Sequence, residues 1–507
     1  MLSHPTILLS TFLVTTPTHA AWAQNPRATP AAIVEAVDAL ARRAVAAGLG
    51  PALGVAVVMD GRTILARSYG LVDVSAGIAA DDRTLWYLAS TSKSFTGFAA
   101  SLLADEGRLR FDAPITTLLP QAEWPAGAAA QTLTLADFLA HTQGLGSGAV
   151  VVQAAYVGQV PEARWPELLQ WSEPLPSRTL IYSNLGYNVA AMVIDALRPE
   201  GWRQFMAQRL YAPAGMTDTH ARVSGLDPRR IAKPHTLRAD GAFVTAPFFK
   251  VDATMNSAGG HLSTLQDLAR WTIVQMDSGR IDGRQVFPQS AVERSHRMLA
   301  RHEREQDRRF ALFDREGWGA GWNIGRYEGE RMVSRFGSYH STRSHLSFLP
   351  ARRVGVVAMA NGGPGSRVTD IVAALVYDLE AGRPDALARA EARLAEGISA
   401  RPAGLAQVAQ GDSVRAARQA QPLPRGWDAY AGAYSHPGYG TISFQREGPG
   451  LAFRWGALDG PVEIFNAGLD QLRFEMAGSG TVARFRFGPS GPAAGVVVNG
   501  VELVREP

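Results

Sequence analysis

The sequence predicts an α/β fold of the α+β kind: an antiparallel sheet flanked by helices, a helical insertion, and a small C-terminal all-β barrel. Three observations point there. Strand patterns stand at both ends of the first 380 or so residues, with helical patterns between them. Val354 to Met359 is an almost unbroken apolar run, as a strand covered on both faces requires. From Trp427 onward, short alternating segments recur between Gly, Pro, Asn and Asp.

Taken in order, Thr29 to Ala47 reads as an amphipathic helix, with Ile33, Val37, Leu40 and Ala44 on one face. Leu53 to Asp73 reads as two strands about an Asp60-Gly61 hairpin turn. Helical patterns then run from Ser90 to about Val274. Strands resume at Gly321 to Tyr327, Leu346 to Leu349 and Val354 to Met359, followed by a helix at about Val368 to Leu379. An Ala/Arg/Glu-rich and then Gln/Pro-rich stretch, about 382–425, reads as a partly helical linker. Seven short strands then begin at Tyr430, Thr441, Leu451, Val462, Leu472, Val482 and Val496, forming a barrel or sandwich over 426–507.

Composition bounds the function. At 507 residues, 46% of them hydrophobic, the chain has material for a large core and more than one domain. It has no cysteine, which excludes a thiol nucleophile, thiolate metal sites and disulfides. The net charge of +4 is spread out, without a basic stripe interleaved with aromatics, so nucleic acid is not the expected partner. An apolar run from Ile7 to Thr15 and a small-x-small Ala21-Trp22-Ala23 site resemble a signal peptide over 1–23, although His4 is the only basic group before the run. The expectation is export to a periplasm or beyond, with no integral membrane span.

Lys93, Lys233 and Lys250 are the only lysines among 50 basic residues. An ammonium can shed its proton when desolvated, and a guanidinium effectively cannot. Lys93 stands three residues after Ser90, so on a helix the two side chains share a face. If Ser90 opens that helix, free backbone amides and the positive dipole end lie beside its oxygen. These are the parts of an activated serine nucleophile, though the tetrad alone also occurs as an ordinary helix turn.

Tyr182-Ser183-Asn184 supplies a phenol that can relay a proton beside a cation, and an amide that can both donate and accept. Alone, Tyr182 would be a packed core tyrosine. Arg335-Phe336-Gly337-Ser338 supplies a strand-edge glycine that admits a ligand, and the Ser338 amide can join that of Ser90 as an oxyanion hole. Its alternative is a plain strand-to-turn segment.

In this order the motifs resemble those of the serine β-lactamase and penicillin-binding protein superfamily, class C β-lactamase-like branch. That branch includes D-aminopeptidases, DD-peptidases and esterases. Ser90 and Lys93 match its first motif, Tyr182-x-Asn184 its second, and Arg335-Phe336-Gly337 stands in place of its third. Leu102 to Leu109, Leu139-Ala140-His141-Thr142-Gln143-Gly144-Leu145 and Ala258 to Thr264 resemble further family elements. The resemblance covers about Pro30 to Leu379, and the C-terminal barrel resembles a lipocalin-like domain appended to some peptidases of the branch.

The resemblance implies a β-lactamase-like serine hydrolase domain over 24–381 that cleaves an amide or ester through an acyl-enzyme on Ser90. Lys93 and Tyr182 would share the base role, Asn184 and Arg335 would bind substrate, and Gly337 and Ser338 would form the oxyanion side. The expected substrate is a small molecule or peptide, foremost one with a D-residue or of cell-wall type. A β-lactam, a short-chain ester, or a degenerate peptide-binding role without turnover are the alternatives.

No cofactor and no metal is implied. His296 and His302 lack a His-Glu-x-x-His frame, and His340 and His345 near the third motif read as structural or supporting. A Gly-x-Ser-x-Gly elbow is absent. Two departures bear on substrate: Arg335 replaces the usual Lys or His, and Gln143 replaces a usual Ser.

Overall fold

A computed structural model describes residues 26–507 apart from 249, 311, 364 and 365. The stretch 1–23, read from sequence as a signal peptide, lies outside the described residues.

Helix α1 (Pro30–Ala46) starts where Thr29 caps it, accepting from the Ala32 amide at 3.2 Å, with Pro30 pre-set for the first turn. Strand β1 (Ala52–Met59) and strand β2 (Arg62–Asp73) form the expected hairpin. Asp60 and Gly61 turn it with φ of 47° and 75°, the mirror-type turn that suits twisted strands. The segment that carries Ser90 follows: a 3₁₀ turn at Ala89–Ser92, then helix α2 (Lys93–Asp105). The insertion includes helix α3 (Leu135–Leu139) and helix α4 (Leu185–Leu197). Helix α5 (Leu265–Met276) leads back towards the sheet.

Strands β3 (Phe313–Trp318), β4 (Asn323–Tyr327), β5 (Glu330–Tyr339), β6 (Thr342–Leu349) and β7 (Val354–Ala360) run as an antiparallel meander. Strand β7 pairs antiparallel with β1, Val356 opposite Val57, so both ends of the domain build one ten-stranded sheet. The apolar runs of its centre alternate between two cores. Ala56, Val58, Val357 and Met359 face the α2/α5 side, and Val55, Val57, Val356 and Ala358 face α1 and helix α6 (Ser366–Glu380).

The linker is more helical than expected. Helices α7 (Ala386–Ser399) and α8 (Arg401–Gln419) span most of it. The first buries Ala386, Ala390 and Leu394, whereas the second buries nothing, which is why its apolar pattern was faint.

The C-terminal unit is a closed eight-stranded antiparallel barrel, β8 (Gly432–His436) to β15 (Val501–Arg505). Its eighth strand, absent from the sequence reading, closes the barrel by pairing with β8 and so removes every sheet edge. The interior is filled by rings: Phe444, Phe453, Phe474 and Phe485 contact one another with Tyr434 above them. The barrel seats on the insertion. The Ala457 amide donates to Val157 O at 2.9 Å, Gln159 exchanges two hydrogen bonds with the Thr441 backbone, and Trp171 meets His436 edge-on at 4.6 Å.

Candidate active site

Ser90 lies in the 3₁₀ turn rather than at the head of α2, one turn before the helix proper. The turn is tightly held. The Leu88 amide donates to His261 O at 2.9 Å, Ser344 Oγ donates to Leu88 O at 2.7 Å, and Thr91 Oγ1 meets Ser344 Oγ at 2.8 Å. Ala89 sits at φ 46°, a left-handed conformation costly for a residue with a Cβ. Ser90 remains partly exposed.

Strand β5 passes directly beside this turn. A Cβ on Gly337 would lie 2.3 Å from Leu88 O and 2.8 Å from Ser90 N, so only glycine allows the approach. Ser338 follows it, exposed at the strand edge. Two further glycines set helix positions. A Cβ on Gly321 would meet Lys93 O at 2.3 Å, and one on Gly186 would meet Phe138 O at 1.9 Å, locking α4 against α3.

The structure brings together Ser90, Lys93, Tyr182, Asn184 and Arg335. Ser90 Oγ and Tyr182 Oη are 2.5 Å apart. Lys93 Nζ, fully buried, donates to Asn184 Oδ1 and Ala258 O, both at 2.6 Å, and to Ser90 Oγ at 3.2 Å. Since the ammonium fixes the Asn184 oxygen inward, its amide NH₂ is left for another acceptor. Arg335, 2% exposed, donates from Nε to Ser90 O at 2.8 Å and from a terminal nitrogen to Tyr182 Oη at 3.1 Å. Its guanidinium also lies 4.7 Å over the Trp318 ring.

Electrostatics follow from two cations and a phenol without a carboxylate. Burial lowers the Lys93 ammonium to about 8; Tyr182 opposes that shift and Arg335 adds to it. For Tyr182, burial raises the phenol, but Lys93 and Arg335 outweigh it and bring it down to about 7. Tyr182 is 46% exposed, so solvent weakens the burial penalty and the attractions together.

His141, Trp318 and Tyr187 were not singled out as site residues from the sequence. His141 Nδ1 accepts from the Ser183 amide at 3.2 Å and its carbonyl accepts from the Ile181 amide at 2.9 Å, so it holds the loop that presents Tyr182. Its ring is buried against Tyr182 and Trp318, and burial, then Lys93 and Arg335, keep it neutral. The Leu139 to Leu145 segment was the available signal. Tyr187 Oη donates to Leu139 O and accepts from the Gly321 amide, tying insertion to sheet domain. Trp318 had no signal, because its contact with Arg335 joins two strands.

Gln143 is buried and its amide donates to Leu145 O, within its own loop. His345 lies between Asp370 and Ser347, at 2.8 and 2.6 Å, in a triad-like row that Tyr377 continues. The three residues are buried behind the sheet, so the row is a satisfied core network. Among the described residues no group of three or more His, Asp or Glu side chains could hold a metal ion.

With this geometry in place, comparisons with known proteins give the family. The Beta-lactamase family profile matches residues 37–381. The chain belongs to the beta-lactamase family. Protein flp of Staphylococcus aureus (strain NCTC 8325 / PS 47) is 22% identical over 330 residues, 64% of this chain and 62% of that protein. The chain thus spans about three fifths of the length of such curated relatives. The octameric penicillin-binding protein homologue from Pyrococcus abyssi superposes with a TM-score of 0.58 at 18% identity, covering 93% of this chain and 100% of that one. The D-amino acid amidase from Ochrobactrum anthropi SV3 gives 0.54 at 19% identity, covering 72% and 98%. The beta-lactamase-like fold is therefore shared, and the C-terminal barrel is a separate unit.

Proposed function

We propose that the protein is an exported serine hydrolase that cleaves an amide or ester through an acyl-enzyme on Ser90, acting on a D-residue-containing or cell-wall-type peptide. One observation carries the reading: Ser90 Oγ stands 2.5 Å from a phenol whose pKa two buried cations lower. Family membership and the fold shared with a D-amino acid amidase support it.

In this reading Tyr182, as phenolate, takes the Ser90 proton while Oγ attacks the substrate carbonyl. Lys93 has three acceptors around it, which matches the three hydrogens of an ammonium, so it remains the cation that stabilises the phenolate. The Ser90 and Ser338 amides receive the oxyanion. The Asn184 amide is placed to donate to the substrate, and Tyr182 returns the proton to the leaving group. Water, deprotonated by the same phenolate, then releases the acyl group.

A turnover panel of nitrocefin, short-chain p-nitrophenyl esters and D-aminoacyl amides, run on wild type and Ser90→Ala, tests this. The expected result is preference for the D-aminoacyl amides, with loss of at least about a hundredfold in Ser90→Ala. Turnover that survives the substitution would contradict the reading.

A further inference from the structure

Lys250 takes no part in the chemistry described so far, yet it is buried like Lys93. It is 6% exposed, and its Nζ donates to Ala155 O. Three phenol rings surround it, with centroids 4.5 Å (Tyr339), 5.5 Å (Tyr156) and 5.8 Å (Tyr87) from Nζ. Among the described residues no carboxylate lies within ion-pair distance of it, in a chain with 46 acidic residues. One backbone acceptor uses one of three ammonium hydrogens. The hydroxyls of Tyr87, Tyr156 and Tyr339 have no hydrogen-bond partner among the described residues, and Tyr87 is only 4% exposed.

The cage adjoins the active site. Arg335, Gly337 and Tyr339 alternate onto one face of β5. The first reaches Ser90 and Tyr182, the second presses on the Ser90 amide, and the third covers Lys250. Two residues along a strand is about 7 Å, so the cage begins about one side chain beyond the oxyanion side of Ser90. Tyr87 stands three residues before Ser90, and its ring packs on Tyr339 at 5.0 Å. Ala155 and Tyr156 come from the insertion, the opposite wall, and Tyr156 lies close enough to sense the charge of Tyr182.

A buried cation with no anionic partner costs free energy, and the phenol hydroxyls around it are free to donate to a ligand. Such a set is compensated when a ligand brings the negative charge. Arg335 is less available for that task, since two of its nitrogens already bond Ser90 O and Tyr182 Oη. We propose that Lys250, with Tyr87, Tyr156 and Tyr339, forms an anion subsite beside Ser90 that takes a carboxylate of the substrate. This rests on the hydrolase reading above. The ammonium supplies charge and the phenols supply donors, while the rings exclude substrates with bulky apolar groups at that position.

The test is the ratio of kcat/KM for a carboxylic acid to that for its methyl ester. Two matched pairs place the acid on either side of the scissile bond: p-nitrophenyl hydrogen glutarate with its methyl ester, and an N-acetyl dipeptide with its methyl ester. In Lys250→Met, which keeps the length of the stem, the ratio should fall at least about tenfold for one pair. A Tyr156→Phe/Tyr339→Phe variant keeps every ring and the ammonium and should lower the same ratio about threefold; it decides the matter should Lys250→Met not fold. Mass mapping of a fluorophosphonate adduct is run alongside. A labelled Ser90 with both ratios unchanged would overturn the subsite alone and make Lys250 a structural plug. An unlabelled Ser90 would overturn the hydrolase reading and the subsite with it.

Discussion

Three acceptors surround the Lys93 ammonium, while its desolvation pulls the proton off; the two facts together set the working pH. In the proposed mechanism Tyr182 must be ionised to accept the Ser90 proton, so activity is expected to rise as pH passes about 7. Lys93 must be charged to hold that phenolate, so activity falls as pH passes about 8. The two values belong to the coupled pair rather than to either residue. The expected kcat/KM profile on a neutral ester is therefore a narrow bell, and a flat profile through this range would contradict the assignment. Arg335 adds a second positive charge at the phenol. Its removal in Arg335→Ala should raise the acidic limb by about one unit and slow an acid and its methyl ester alike. A loss confined to the acid would instead assign Arg335 to direct carboxylate binding.

At the scale of elements, the site is made by one strand edge, one turn and one loop meeting at glycines. Gly337→Ala puts a Cβ 2.3 Å from Leu88 O, where backbone on both sides leaves no room. The expected outcome is a stability cost of about 1–3 kcal/mol and a loss of most activity, because relief means moving β5 off Ser90. Thermal melting and kcat/KM on the same sample check it; a variant with wild-type rate would show that this approach does not position the nucleophile. The hairpin, strands β4, β6 and β7 and most barrel strands were legible because alternation and turn residues are local signals, whereas β3 was not read as a strand. The 3₁₀ placement of Ser90 was not, since it depends on His261 and Ser344, distant in sequence. The motif residues Ser90, Lys93, Tyr182 and Asn184 could be named from spacing and type. Trp318 and the Lys250 cage could not be placed in this way, because contacts between strands and between the sheet and the insertion assemble them.

For the whole molecule, the barrel and the beta-lactamase domain meet along the insertion that also carries Tyr156. Val157 and Gln159, which anchor the barrel, stand one and three residues after Tyr156. On the other side, Gly478 of the barrel lies against His340 at the β5–β6 tip, next to Tyr339. The barrel therefore touches both the insertion next to Tyr156 and the β5–β6 tip next to Tyr339. Gly438→Leu places a Cβ 2.4 Å from the Trp171 ring and should lift this contact. Faster amide exchange over 153–159 with an unchanged barrel interior is the expected reading, and unaltered exchange would mean that the barrel does not brace the insertion. The central claim concerns a single oxygen. Intact-mass and peptide mapping after treatment with a fluorophosphonate test it most directly: one adduct on Ser90, formed faster as pH rises through about 7, is the expected result, and an adduct elsewhere or none at all would contradict it.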